Sequence, residues 1–245
     1  ATYEIESIGP STQVLRNGVV GDPKRPDLTV ERVLVAIEYD LGTPTIGSVR
    51  LIRPKVYGQY LDGKLSFGSL DKVLFAPDPE NKPFAFPKLD LAIEDGRGLL
   101  LTDFGKVGLK LDGRGGLQNG LSGTLAAVAP RLVAGGCLGE GASLFGKITI
   151  AKERPALTGP LRLAKLACDG AVQVGAATVQ IDALADKGLT GVAGNATLRG
   201  RALVVPGLAA ESLALDTRLG WREGVLTGRV AANAGGVRSG GLKIG

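Results

Sequence analysis

The sequence predicts an all-β fold built mainly from antiparallel strands, with one or two short helices. Apolar residues make up 44 % of the 245 residues, yet the chain has only six Phe, four Tyr and one Trp, and it has 38 Gly. Because branched aliphatic side chains suit a pleated sheet and glycine is unfavourable inside helices, this composition favours strands. Two further patterns, alternation and regularly spaced turns, support the same fold class.

Apolar residues alternate with polar or small residues along most of the chain. The series Val33, Val35 and Ile37 is one example, and Leu161 and Leu163 around Arg162 form another. A period of two places successive side chains on opposite faces of a strand. The pattern therefore predicts many strands with one apolar face each.

Turn-forming pairs separate these runs at intervals of about ten residues. Asp62-Gly63, Asn119-Gly120 and Asp169-Gly170 are examples, and such pairs favour tight hairpin turns. Ser69 to Phe75 predicts a helix of about two turns, stopped by the prolines that follow. The proline-rich stretch 77–87 is an expected linker between an N-terminal module, 1–76, and a continuing β array, 88–245.

Catalytic and cofactor chemistry find little support in the sequence. The chain has no histidine, the commonest general base and a common metal ligand, so we expect no enzyme, no metal site and no cofactor. Gly141 to Ile148 is similar to a phosphate-binding loop, but Ile148 replaces the required Ser or Thr, and the next residues alternate like a strand. Ser69 and Lys72 match a Ser-x-x-Lys pattern without its companion motifs.

Charge and cysteine content limit the partners and the compartment. A net charge of +5 with few aromatic residues argues against a nucleic-acid partner.

Cys137 and Cys168 each adjoin a turn, and two interpretations are open. They are small buried apolar residues if the protein is cytosolic, or a disulfide if the compartment is oxidising, and we favour the disulfide.

Arg50, Arg53 and Lys55 form the densest basic cluster. One interpretation is that the charges protect an edge strand from pairing with another chain. The other interpretation is contact with an anionic lipid headgroup.

A stretch of about 40 residues resembles a known family. Its elements are Ile46 to Pro54 (IGSVRLIRP), Val56-Tyr57, Asp62 to Phe67 (DGKLSF) and the leucine-rich Leu70 to Leu74. These residues resemble the N-terminal region of AsmA-like proteins, the bacterial bridge-type lipid transporters that include the YdbH-like and TamB-like families. The segment around Cys137 and the run ASLFGKITI are similar to YdbH-like members in particular.

The resemblance implies a specific architecture and function. The fold would be an elongated, strongly twisted sheet that forms a taco-like hydrophobic groove in the periplasm, with the full-length protein tethered to the inner membrane. Phospholipids, or other lipids with acyl chains, would pass through the groove between the inner and outer membranes. The chain begins at Ala1, so we expect a section of a longer bridge. Eighteen to twenty strands stacked at about 4.8 Å would make this section about 90 Å long.

Because acyl chains require only apolar contact, the alternating aliphatic positions are the candidate groove residues. They are Val33, Val35, Ile37, Val49, Leu51, Leu65, Phe67, Leu89, Leu91, Ile93, Val107, Leu109, Leu111, Ile148, Ile150, Leu161, Leu163, Val179, Ile181, Leu213 and Leu215. The alternative function is a structural or adhesive β-sandwich or β-helix. That alternative predicts a filled core and no bound ligand.

Overall fold

The structure is a computed structural model that describes residues 1–40, 43–74, 85–169, 171–222, 225–239 and 242–244. These residues form 19 strands that belong to a single sheet. The predicted all-β fold is therefore confirmed. No helix in these ranges is long and apolar enough to cross a membrane.

The strands follow one another with short connections. Their bounds are β1 Thr2–Ile8, β2 Thr12–Asp22, β3 Arg25–Asp40, β4 Thr43–Ile52, β5 Lys55–Leu61, β6 Lys64–Ser66, β7 Asp90–Thr102, β8 Gly105–Gly116, β9 Leu121–Ala134, β10 Cys137–Ala151, β11 Arg154–Leu163, β12 Lys165–Cys168, β13 Val172–Val174, β14 Ala177–Ala185, β15 Gly191–Val205, β16 Leu208–Arg222, β17 Val225–Gly235, β18 Val237–Ser239 and β19 Leu242–Ile244. A single turn of 3-10 helix, Gly68–Leu70, leads into α1, Asp71–Leu74, at the position of the predicted short helix.

Several strands are collinear pieces of one longer strand. In four cases two consecutive strands pair with the same neighbouring strand, one after the other: β4/β5, β11/β12, β13/β14 and β17/β18. β6 pairs with the same edge of β5 as β3 does, so β6 and β3 occupy one position. The 19 strands therefore occupy 14 positions across the sheet. At about 4.8 Å per position the sheet is about 60 Å long, which is shorter than the expected 90 Å because those pieces do not stack.

The sheet is antiparallel, as predicted, except along one edge of β7. There β4 and β5 both run parallel to β7, in the registers Leu51 to Ile93 and Val56 to Gly98. The chain returns through β6, the two short helices and the segment that contains the predicted linker. Most of that linker, residues 77–84, lies outside the described residues, and the division into 1–76 and 88–245 stays a prediction. The parallel pairing joins both parts in one sheet.

Two lines of bends cross the sheet. The first contains Asn17 (φ 52°) on β2, Arg53 (φ 50°) between β4 and β5, and Asp95 (φ 48°) on β7, with β3 lying between β2 and β4. The second includes Gly141 (φ 60°) and Ala202 (φ 55°), beside the breaks that separate β11 from β12 and β13 from β14. A left-handed residue inside a strand works like a bulge, because it bends the strand and shifts the phase of its side chains.

The sheet has no second layer packed on it among the described residues. The accessible surface is 15588 Å², whereas a compact monomer of 25.1 kDa exposes about 10,000 Å². Among the residues that the structure describes, only small or β-branched ones such as Val30, Ile150 and Ala210 are buried, and no large side chain is fully enclosed. These observations contradict the filled sandwich core of the alternative hypothesis.

Glycines mark where the sheet folds toward one face. A Cβ added at Gly123 or Gly194 would lie under 3.0 Å from the backbone oxygen of Asp112 or Asp182 on the adjacent strand. In a flat sheet a Cβ stands clear of its neighbour's backbone. The adjacent strand must therefore rise toward the side to which the Cβ points, and that face is concave.

A disulfide links β10 to β12. Cys137 and Cys168 are direct partners in the register of these strands, and their Sγ atoms are bonded across a sequence separation of 31 residues. The bond closes the loop that contains the β10–β11 hairpin, at the end of β10 nearest the turn Gly135-Gly136. The bond therefore joins β10 and β12 along the side of the curved sheet where these strand ends lie.

We predict that Gly194→Ala destabilises the fold by about 1–3 kcal/mol, because its Cβ would overlap the Asp182 backbone. The matched control is Gly220→Ala on the next strand, where a Cβ would meet only the Thr227 side chain at 3.4 Å. Urea unfolding of both variants checks this. Equal stability of the two variants would contradict the close approach at Gly194.

We predict that removing the disulfide by Cys137→Ser with Cys168→Ser lowers the unfolding free energy by about 3–4 kcal/mol, the loop-entropy value for its size. Urea titration of the oxidised protein, the reduced protein and the double variant measures this. A reduced protein as stable as the oxidised one would show that the bond does not constrain the sheet.

Candidate lipid-binding face

The register of the strands places two long rows of apolar residues on one face of the sheet. Paired residues on adjacent strands project to the same side, so the pairings can be followed from strand to strand. The first row, called here the first ladder, consists of Val20, Leu28, Val56, Gly98, Leu109, Ala127, Leu144, Leu161, Val179, Leu198, Leu215 and Ala232. Every member is apolar or glycine.

The second ladder runs beside the first, four residues away along each of the central strands. It consists of Ile5, Leu15, Val33, Leu51, Ile93, Gly113, Gly123, Ile148, Leu157, Ala183, Gly194, Leu219 and Gly228. Gly123 and Gly194 belong to it, so the concave side is the side of both ladders. We call this side the apolar face and the opposite side the polar face.

The structure brings the predicted groove residues together on the apolar face. Val33, Leu51, Ile93 and Ile148 lie in the second ladder. Leu109, Leu161, Val179 and Leu215 lie in the first ladder. The next ten share this face through alternation or pairing with ladder residues; they are Val35, Ile37, Val49, Leu91, Val107, Leu111, Ile150, Leu163, Ile181 and Leu213.

The last three candidates lie at the ends of elements. Leu65 on β6 pairs with Tyr60. The Phe67 ring lies over Gly58, two residues before Tyr60 on the apolar face. Leu89 precedes β7, and its carbonyl oxygen accepts a hydrogen bond from the Leu117 amide. Whether these 21 residues contact lipid stays a prediction.

Sequence reasoning missed several residues of the same face. Leu144, Leu198 and Leu219 lie in the ladders, and their alternation with neighbouring residues was available as a signal. Leu28 and Val56 were not recoverable, because the first line of bends shifts their phase relative to Val33 and Leu51. The only tryptophan in the chain, Trp221, pairs with Val192 on the apolar face near one end of β16.

The polar face carries the ion pairs that join neighbouring strands. Arg32 bonds Glu6, Arg50 bonds Glu94, and Lys110 bonds Asp95 at 3.1 Å. Away from the bends and bulges, no charged residue of the described strands shares a face with the two ladders. The sheet is therefore amphipathic across its whole described length.

These ion pairs shift the pKa values of exposed carboxyl groups. A hydrogen bond from Arg53 lowers the pKa of Glu31, one from Arg32 lowers the pKa of Glu6, and one from Lys110 lowers the pKa of Asp95. The shifts belong to strand pairing on the polar face.

The motif-like fragments do not form catalytic sites. The stretch Gly141 to Ile148 lies inside β10, so no helix follows it to bind phosphate. Ser69 donates a hydrogen bond from its amide to Asp27, and Lys72 lies on α1. No group of three or more metal-ligating side chains occurs within the described ranges.

The basic cluster does not protect an edge. Arg50 and Lys55 lie on β4 and β5, which are paired on one side with β3 and on the other with β7. The interpretation as an edge strand is therefore wrong, because the parallel return of β7 covers that edge. Arg50 and Arg53 bond Glu94 and Glu31 across strands.

A one-layer amphipathic sheet with a concave apolar face defines a class of protein that carries or shields apolar ligands. Comparison with known protein families identifies the class more specifically. The family described as "YdbH-like: Intermembrane phospholipid transport protein YdbH" matches residues 1–244. The chain belongs to this family, and its resemblance to AsmA-like bridge-type proteins is confirmed. No curated protein and no solved structure matches the chain.

We predict that the stabilising effect of the Glu31–Arg53 pair is lost in acid. The folded pKa of Glu31 is below its usual 4.5, so the pair contributes fully above pH 4.5 and the contribution disappears as pH falls through the folded pKa. Melting temperatures of the native chain and Glu31→Gln should differ at pH 7 and converge as the pH falls below 4.5 and through the lowered folded pKa of Glu31. A constant difference across this range would contradict the pairing.

Proposed function

We propose that this chain is a periplasmic section of a lipid bridge. Phospholipid acyl chains would lie along the apolar face, and headgroups would remain in water along the open side of the groove. The observation that carries the proposal is the uninterrupted first ladder, which crosses 12 successive strand positions without a charged residue. Membership of an intermembrane phospholipid transport family supports the same cargo.

The physical basis is an exposed apolar surface without a protein layer to cover it. Leu109, Leu144 and Leu161 are only half-buried, although they lie near the middle of the first ladder. Each methylene moved from water onto such a surface contributes about 0.8 kcal/mol. Because this interaction is non-directional, a lipid can shift from one ladder position to the next without breaking specific bonds.

The transport mechanism would be passive within this section. It requires no nucleophile, metal or proton transfer, in keeping with a family of transporters. The membranes at each end would be reached by other parts of the full-length protein, which we propose is tethered to the inner membrane. Phospholipid would move between the inner and outer membranes.

We predict that Ile93→Asp abolishes retention of phospholipid, because it places a carboxylate in the second ladder. The control is Ala92→Asp, one residue away on the polar face and paired with Arg50. Native mass spectrometry of each purified variant, followed by lipid extraction, measures bound phospholipid. The native chain and Ala92→Asp should retain lipid at equal stoichiometry.

If circular dichroism shows that Ile93→Asp is unfolded, a pair of milder variants replaces it in the same measurement. Leu161→Gln should reduce bound lipid several-fold, whereas Arg162→Gln on the polar face should leave it unchanged. A native chain that purifies without lipid and takes up no photo-crosslinkable phospholipid would contradict the proposal.

A further inference from the structure

The polar face has an apolar patch that the lipid groove does not explain. Tyr57, Leu99 and Val128 project from this face in one row, through the pairings Tyr57 to Leu99, Leu99 to Gly108 and Gly108 to Val128. Leu101 and Phe145 adjoin the row on β7 and β10. Their exposed fractions range from 40 % for Leu99 to 60 % for Phe145. We call these five residues the outer patch.

A cavity extends the outer patch at its β5 end. Its volume is about 440 Å³, and Tyr57, Leu99 and Leu101 supply its apolar wall. Lys24, in the turn between β2 and β3, and Arg25, the first residue of β3, form its basic end. The Asp27 carboxylate in the same cavity accepts hydrogen bonds from the Ser69 amide and hydroxyl, so it is already satisfied.

Positive charge surrounds the patch. The adjacent row on the same face, two residues away along these strands, consists of Lys55, Arg97 and Lys110. Lys106 is the cross-strand partner of Leu101. Arg97 and Lys110 share the single carboxylate of Asp95. Within the part of the chain that the structure describes, the side chains of four cations near the patch make no ion pair: Lys24, Arg25, Lys55 and Lys106.

The dimensions of the patch suit a short helix. It crosses from β5 to β10, which is four strand intervals or about 19 Å. An α-helix of 12–13 residues has about the same length. The apolar stripe of such a helix would cover the row of Tyr57, Leu99 and Val128, and acidic residues beside the stripe would meet the cations of the neighbouring row.

We propose that the outer patch is a docking surface for an acidic amphipathic helix of a partner protein. The proposal concerns the polar face and does not depend on lipid in the groove. Its basis is the coincidence of exposed apolar residues, an adjoining cavity and uncompensated positive charge in one place. An anionic membrane is less suited, because a wide bilayer surface would also meet the carboxylates of Asp62 and Glu94, which lie five residues along the strands from Tyr57 and Leu99, whereas a helix over the row would not reach them.

The direct test uses a synthetic helical peptide of 14 residues, with leucine on one face and glutamate on the other, labelled with fluorescein. A second peptide replaces every glutamate with lysine. Fluorescence anisotropy with the full chain should show binding of the glutamate peptide at least 10-fold tighter than that of the lysine peptide. Raising the salt concentration to 0.5 M should weaken this binding, because the charges involved are exposed.

Variants locate the site. Lys55→Glu with Lys106→Glu should weaken the glutamate peptide at least 10-fold, and Leu101→Asn should weaken it several-fold. Arg199→Glu with Arg229→Glu, on the polar face of β15 and β17, makes the same charge change far from the patch and should have little effect. Circular dichroism of each variant confirms that it is folded.

Three results would overturn the proposal. They are equal affinity for the two peptides, equal weakening by the two double variants, and an absence of binding up to 1 mM peptide. Flotation with vesicles of phosphatidylcholine and phosphatidylglycerol separates the remaining alternative. Vesicle binding that is lost in Lys55→Glu with Lys106→Glu, without binding of the glutamate peptide, would identify a membrane surface instead.

Discussion

The backbone hydrogen bonds between neighbouring strands are the interaction on which the rest of this structure depends. In most domains a packed core holds the sheet, but here the described residues bury no large side chain completely. Strand pairing, the Cys137–Cys168 disulfide and cross-strand ion pairs such as Arg50–Glu94 therefore hold the shape. The curvature follows from residues that let strands approach or bend, including Gly194 and Arg53.

A sheet held in this way can leave its apolar face open. In a sandwich the same ladders would be covered by a second sheet, and the protein would have no room for a ligand. Here the first ladder spans 12 and the second 13 of the 14 strand positions, and the charged residues of the described strands lie on the other face or at the bends. The proposed transport of phospholipid needs both properties, because acyl chains require a continuous apolar surface and the outer surface must stay hydrated.

Sequence patterns were sufficient for the fold class and for much of the apolar face. Val33, Leu109 and Leu161 were identified because alternation is local information. The parallel pairing of β4 with β7 was not foreseen, because pairing across a long connection depends on contacts far apart in sequence. Val56 was missed because Arg53, three residues before it, adopts a left-handed conformation that its residue type does not predict.

The measurement that tests the open groove most directly uses Trp221, the single tryptophan, which lies on the apolar face with 42 % of its surface exposed. Its fluorescence would be recorded while the lipid-free chain is titrated with phospholipid brominated on the acyl chains, or with phospholipid spin-labelled on the headgroup. Our account predicts stronger quenching by the acyl-chain bromines than by the headgroup label. Equal quenching by both lipids, or no quenching by either, would contradict a groove that holds acyl chains on this face.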